Sequence, residues 1–153
     1  MNTSYLDLLR SKALFGGLED KYLEIVVSLL RAERFPKNAV VMQEKEIGDK
    51  MYLITKGSVA VTKYCPEEKT NKVLSVLREG DSFGEMELVD IQPRTATVKA
   101  LTDLETVSLG GHDLLKLSHE QLYAFAIIAM NIARIISRRL RQTDERLISI
   151  LRN

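Results

Sequence analysis

The chain has 153 residues, 45% hydrophobic and 28% charged, with 8 glycines and 3 prolines; this is about one domain's length, enough to bury a core without metal or disulfide staples, and it excludes a disordered or collagen-like chain. Twenty-two Lys and Arg against 21 Asp and Glu leave a formal charge of +1, so no global bias draws the chain to nucleic acid or membrane. The single cysteine, Cys65, has no partner in the chain, which points to a reducing compartment. With no signal peptide and no apolar run of spanning length, the expectation is a cytoplasmic protein with no membrane partner.

Residues 4 to 34 carry helical periodicity. Leu23, Val26, Val27 and Leu30 recur at steps of three and four behind Glu19, Asp20 and Lys21, the polar residues of a first turn. Phe35-Pro36 closes this zone, because proline pushes the residue before it out of the helical region. From 38 to 109 the pattern turns to short β-branched runs: Val40-Val41, Met51 to Thr55, Ser58 to Thr62, Lys72 to Leu77, Thr95 to Leu101 and Leu104 to Leu109. Gly48, Gly57, Gly80, Gly84, Gly110 and Gly111 punctuate the zone, and regular short strands with glycine turns predict a sandwich, jelly roll or small barrel. Cys65-Pro66-Glu67-Glu68 reads as a polar hairpin loop. Met42, Met51, Met86 and Met130 are assigned to core filling, and Tyr52 and Phe83 to strand core.

After Gly110-Gly111 the chain is helical again, and Ser118 with Gln121 three residues on reads as a capping box opening a long helix. Along it Ala126, Ala129, Ala133, Ile136, Leu140, Thr143, Leu147 and Ile150 alternate steps of three and four, the spacing of a coiled-coil seam. At about 1.5 Å per residue such a helix runs roughly 45 Å, too long for one barrel to cover, so the seam predicts self-association. The reading is one domain, 1–153, with N-terminal helices over 1–36, a β barrel over 37–110 and C-terminal helices over 111–153.

Chemistry concentrates between Gly80 and Val98. A glycine turn leads to Gly84-Glu85, which opens a short helical turn, and a loop then returns Arg94 and Thr95 to the mouth of the next strand. This suits a phosphate beside a sugar: first-turn amides point at an anion, a guanidinium forks onto phosphate oxygens, and a carboxylate accepts from a ribose hydroxyl. Elsewhere the chemistry is thin. His112 and His119 have no third ligand at a metal spacing, so neither a metal nor a cofactor is expected. No Ser-His-Asp or Cys-His arrangement is readable, and the chain is not expected to be an enzyme. The basic run Arg134, Arg138, Arg139, Arg141 is followed at once by Asp144 and Glu145, as on a solvated helix flank.

Phe83-Gly84-Glu85 and Pro93-Arg94-Thr95-Ala96-Thr97-Val98, with Leu14-Phe15, Gly48-Asp49, Met51 to Ile54, Lys56 to Val59 and Arg78 to Asp81 in order around them, carry a resemblance. The chain resembles the cyclic-nucleotide-binding domains of the bacterial catabolite activator and of protein kinase A regulatory subunits, over nearly its whole length. The resemblance implies an α+β, mainly β fold: a double-stranded β-helix jelly roll of about eight strands, with N-terminal helices and a long C-terminal dimerisation helix. It implies a phosphate-binding cassette over 83–98, opened by Phe83, in which Gly84 lets the backbone approach, Glu85 receives the ribose 2′-hydroxyl and Arg94 pairs with the cyclic phosphate. The amides of Met86, Glu87 and Thr95 would donate to phosphate, and the Thr95 hydroxyl would touch phosphate or a guanine edge. On the last helix Arg139 would reach Glu85, and Thr143 and Asp144 would face the base. The implied function is a regulatory sensor of cAMP, favoured over cGMP. Its partners would be a second copy of the chain, paired through the last helix, and an effector protein of unknown identity. After Thr143 ten residues remain, too few for a helix-turn-helix, so no direct DNA binding is expected.

One residue departs from the family pattern. Where a small residue usually stands two places after the cassette glutamate, this chain has Glu87. Turned outward, its side chain leaves only an amide at the phosphate. Turned inward, it pairs with Arg94 and occupies the site with no nucleotide present, which favours a ligand-free dimerisation or adaptor domain instead.

Overall fold

The apolar spacing of the N-terminal zone forms the helices it predicts. α1 (Thr3–Arg10) leads through a 3₁₀ turn (Ala13–Phe15) to α2 (Asp20–Leu29), which buries Leu23, Val26 and Val27. Asp20, in the first turn of α2, complements the helix dipole. The structure is a computed structural model that describes residues 3–90 and 92–152; Ile91, within the cassette read from the sequence, lies outside the described residues.

The helical zone read over 4 to 34 stops at Leu29. Arg31–Phe35 form a strand, β1, antiparallel to the last strand with Arg31 opposite Ser108 and Phe35 opposite Leu104. Three of its five residues are charged, because it lies at a sheet edge with one side to solvent. No apolar alternation marks such a strand; pairing creates it.

The following strands are β2 (Val40–Met42), β3 (Lys50–Lys56), β4 (Ser58–Cys65), β5 (Thr70–Arg78), β6 (Ser82–Phe83), β7 (Thr97–Ala100) and β8 (Leu104–Gly110), with a short helix α3 (Met86–Asp90) between β6 and β7. They form two four-stranded antiparallel sheets, ordered β1-β8-β3-β6 and β2-β7-β4-β5. The fold is the double-stranded β-helix jelly roll expected from the sequence. β3 is buried on both faces, and its period of two sorts the core. Met51 and Leu53 join the helical cluster with Leu14, Phe15, Leu23 and Ile128, whereas Tyr52 and Ile54 point into the barrel with Phe83, Val98 and Leu104. Cys65 ends β4, and the turn after it carries the hairpin to β5.

Ser118 does not cap the long helix. A separate helix, α4 (Gly111–Glu120), has already begun at the glycine pair, so Ser118 lies near its end with the hydroxyl donating to the Leu115 carbonyl at 2.7 Å. The chain breaks at Gln121, and α5 (Leu122–Leu151) starts without a side-chain cap. α5 buries Ala124, Ile128, Asn131 and Ile132. The Asn131 amide donates to the carbonyls of Leu14 at 3.0 Å and Gly16 at 2.9 Å, fastening α5 to the 3₁₀ turn. Of the seam read from the sequence, Ile136 packs against the core, whereas Leu140, Leu147 and Ile150 farther along the helix are exposed. Met86 and Met130 are also exposed, against the assignment to core filling, while Met42 and Met51 are buried. Met130 stands on α5 away from the buried positions 124, 128, 131 and 132, and Met86 opens the short helix α3. Among the described residues no helix is long and apolar enough to cross a membrane.

Candidate functional site

Pairing of β6 with β3 fixes where the cassette begins. Phe83 stands opposite Tyr52, their rings stacked with centroids 4.9 Å apart. The next residue, Gly84, has φ +78, and a Cβ there would lie 2.8 Å from Arg94 Nη1 and 3.0 Å from the Lys50 carbonyl oxygen, so glycine is required. Glu85 and the first turn of α3 follow directly, and the chain returns at Arg94. Backbone bonds of 2.8 Å from Arg94 N–H to the Glu46 carbonyl and from Lys45 N–H to the Arg94 carbonyl pin that return.

Arg94 is buried, and its guanidinium makes three hydrogen bonds to the protein. Nη1 donates to Glu87 Oε2 at 2.8 Å and to the Gly84 carbonyl at 3.2 Å; Nη2 donates to the Lys50 carbonyl at 2.8 Å. Glu87 Oε1 accepts from the Thr95 N–H at 3.3 Å. Glu87 is therefore turned inward, with its side chain 2% exposed. Of the two orientations left open by the sequence, this is the one that fills the arginine.

Glu85 is equally buried, and α5 supplies its partner. Arg139 donates to Glu85 Oε1 and to the Ser82 carbonyl. The second carboxylate oxygen, Oε2, and the Ser82 hydroxyl are buried without a hydrogen-bond partner among the described residues. Loss of water on burial pushes the Glu85 carboxyl above its ordinary range, against the opposing pull of the Arg139 charge. A buried acceptor lacking a donor is costly, and it marks where a hydroxyl from outside would be welcome. Both Glu85 and Glu87 line a cleft of about 320 Å³ between the cassette, β4, β5, β7 and α5, at the lower end of the roughly 300–1,000 Å³ of small-molecule sites.

The sequence profile of the cyclic nucleotide-binding domain family matches residues 32–121, more than half of the chain. The chain belongs to this family. It is 27% identical, over 145 residues, to a CRP-like cAMP-activated global transcriptional regulator of Mycobacterium tuberculosis, covering 95% of this chain and 62% of the regulator. The crystal structure of Thermus thermophilus catabolite activator protein matches with a TM-score of 0.79 at 27% identity, over 91% of this chain and 63% of that one. A cyclic nucleotide-binding domain from Methylobacillus flagellatus matches in fold with a TM-score of 0.85 at 22% identity, over 94% of this chain and 80% of that one. The chain spans about three-fifths of the length of the curated regulators it matches, 62% and 61%.

Within this cyclic nucleotide-binding domain the structure brings together most of the residues singled out in the sequence. Phe83, Gly84, Glu85, Met86, Glu87, Thr95, Arg139 and Thr143 all line the cleft, and Arg94 lies behind Glu87. Asp144 does not: it is exposed on α5 and turned away from the cleft lining. One helical step separates the two outcomes, since Arg139, Gln142, Thr143 and Arg146 share a face and position 144 leaves it. That spacing is also the signal for Gln142 and Arg146, which the sequence reading did not single out. Arg139 is not a solvated flank residue, although Arg138 and Arg141 are exposed. Lys63, on β4, was missed as well; it lines the cleft and donates to the Thr95 carbonyl at 3.1 Å. Nothing in an alternating strand distinguishes it before the sheet is assembled. His112 and His119 are exposed on α4, and the described residues contain no cluster that could hold a metal ion.

Proposed function

We propose that this chain is the sensor module of a regulator, with no catalysis of its own, and that its cleft takes a cyclic nucleotide, cAMP in preference to cGMP. The observation that carries the reading is Glu85: a buried carboxylate at the cleft, one oxygen held by Arg139 and the other without a donor among the described residues. A ribose 2′-hydroxyl supplies that donor. Two cations in the cleft wall, Lys63 and Arg146, have no carboxylate within ion-pair distance among the described residues, which supports an anionic ligand. The preference for cAMP rests on the relative named as cAMP-activated, which matches 95% of this chain. Thr143 of α5 would meet the base, and occupancy would be reported through the position of α5. A ligand can bias that position only through different affinities for its states.

The exposed stripe of Leu140, Leu147 and Ile150 supports pairing of two copies along α5. The output then passes to an effector protein.

A second reading, a ligand-free dimerisation or adaptor domain, is favoured by the Arg94–Glu87 pair, which satisfies the arginine internally. Calorimetric titration of ligand-free protein with cAMP and then cGMP separates the two. Binding that is weakened at least about tenfold by Glu85→Ala, as expected when a charged hydrogen bond of roughly 1.5–3 kcal/mol is lost, supports the sensor. No heat with either nucleotide from a folded dimer supports the adaptor.

A further inference from the structure

Glu87 occupies two donors at once. Its Oε2 takes an N–H of Arg94 at 2.8 Å and its Oε1 takes the Thr95 N–H at 3.3 Å. A guanidinium and a backbone amide one residue apart form the cradle of an oxyanion, and here the oxyanion belongs to the protein itself.

The cradle does not depend on its occupant. Arg94 is held independently by the Gly84 and Lys50 carbonyls at 3.2 and 2.8 Å and by its own backbone bonds to the 45–46 turn. Gly48 completes the enclosure: a Cβ there would fall 1.9 Å from Arg94 Nε. Glu87, by contrast, sits in the first turn of a helix of five residues that exposes Met86 at the cleft and Val89 beyond it. Rigid donors and a carboxylate on a short surface helix make the carboxylate the part that can leave.

We infer that Glu87 is an internal occupant of the phosphate position and the residue that sets the cleft's selectivity for ligand charge. The inference rests on the proposed cyclic-nucleotide reading of the cleft. A cyclic nucleotide then binds only in exchange for the Glu87 carboxylate, since two anions cannot share one buried guanidinium arm. A phosphate-free ribonucleoside needs only Glu85 Oε2 and requires no exchange. The affinity for the anionic ligand is reduced by the fraction of molecules in which Glu87 is out of the cradle, so the position acts as a threshold on ligand concentration.

The test compares cAMP and adenosine as probes on wild-type protein, Glu87→Gln and Glu87→Ala, by calorimetry. The Gln variant keeps the shape and an acceptor for Thr95 while removing the charge. In both variants the cAMP Kd falls at least about tenfold while the adenosine Kd changes by less than about threefold, as removal of a competing state requires. Parallel shifts of both probes, or no shift of either, overturn the inference while wild-type binding of cAMP leaves the sensor reading in place. If no folded form binds either probe, the sensor reading fails and the inference with it. A measurement on wild type guards against misfolded variants: in a crystal structure with cAMP bound, Glu87 must have left Arg94, and finding it still paired there overturns the exchange.

Discussion

Arg139 of α5 rests on the buried carboxylate of Glu85, joining the last helix to the cassette across 54 residues of chain. The same guanidinium caps the Ser82 carbonyl, so a single side chain closes both the strand that leads into the cassette and the residue that follows its glycine. Arg139→Ala would strand Glu85 without a counter-charge. Breaking a buried pair costs about 3–5 kcal/mol, and because Arg139 is 34% exposed the loss is discounted to roughly 1–3 kcal/mol. Urea unfolding measures it, and hydrogen exchange should show faster opening of α5 beyond residue 136. Unchanged exchange would mean that the helix is held in place without this contact.

Two carboxylates give opposite pH dependences. Glu85 is raised above its usual value by burial, so the folded state holds its proton at a pH where the unfolded chain has released it. Its contribution to stability is full below the unfolded pKa of about 4.5 and is lost as pH rises through the folded value. Glu33 runs the other way. Burial pushes it up, but hydrogen bonds from Ser108 at 2.5 Å and Lys50 at 2.9 Å outweigh that and hold it below its usual value. Its contribution is present above the unfolded pKa and lost as pH falls through the folded one. Melting temperature followed from pH 7 downward should therefore decline less steeply in Glu33→Gln than in wild type, and more steeply in Glu85→Gln.

The buried pair of Arg94 and Glu87 calls for a double-mutant cycle. Arg94→Ala leaves Glu87 as an uncompensated internal charge, at about 3–5 kcal/mol. The double variant Arg94→Ala with Glu87→Ala should be less destabilised than the sum of the two single variants by at least about 1 kcal/mol, the coupling expected of residues in contact. Denaturant midpoints give the four corners. Strict additivity would show that the pair contributes nothing jointly. Loss of nucleotide binding in Arg94→Ala alone would not identify a ligand contact, because the variant also disturbs the fold around it.

The exposed stripe of α5 makes its own prediction. Leu140→Asp with Leu147→Asp places charge on an apolar seam that is exposed among the described residues, so the molecular mass measured by light scattering should fall from that of a dimer to that of a monomer, with the barrel still folded. Mass unaltered by the substitutions would exclude the seam as the pairing surface.

The cassette was legible because its chemistry constrains residue type. Only glycine tolerates the backbone of Gly84, and only arginine at position 94 reaches three acceptors at once. The strands of the barrel were legible where both faces are apolar, as in β3, and illegible in β1, whose charged residues gain their place from partners 71 to 77 residues away. Asn131 stands in an apolar stretch with no local sign of its role; its two carbonyl partners lie more than 100 residues earlier in the chain, beyond any local pattern. The orientation of Glu87 stayed open for the same reason. A carboxylate on the first turn of a helix is equally reasonable facing water or an arginine, and only the assembled cradle distinguishes the two.

Asn131 gives α5 a fulcrum. From that residue to Arg139 is eight residues, about 12 Å along the axis, and to Leu151 twenty residues, about 30 Å. If the helix pivots as a rigid rod about the Asn131 amide, a shift of about 1 Å at Arg139 becomes about 2.5 Å at Leu151. A rearrangement of the size of one displaced hydrogen bond at Glu85 is thus delivered, enlarged, to the exposed apolar end of the helix, where a second protein surface would feel it.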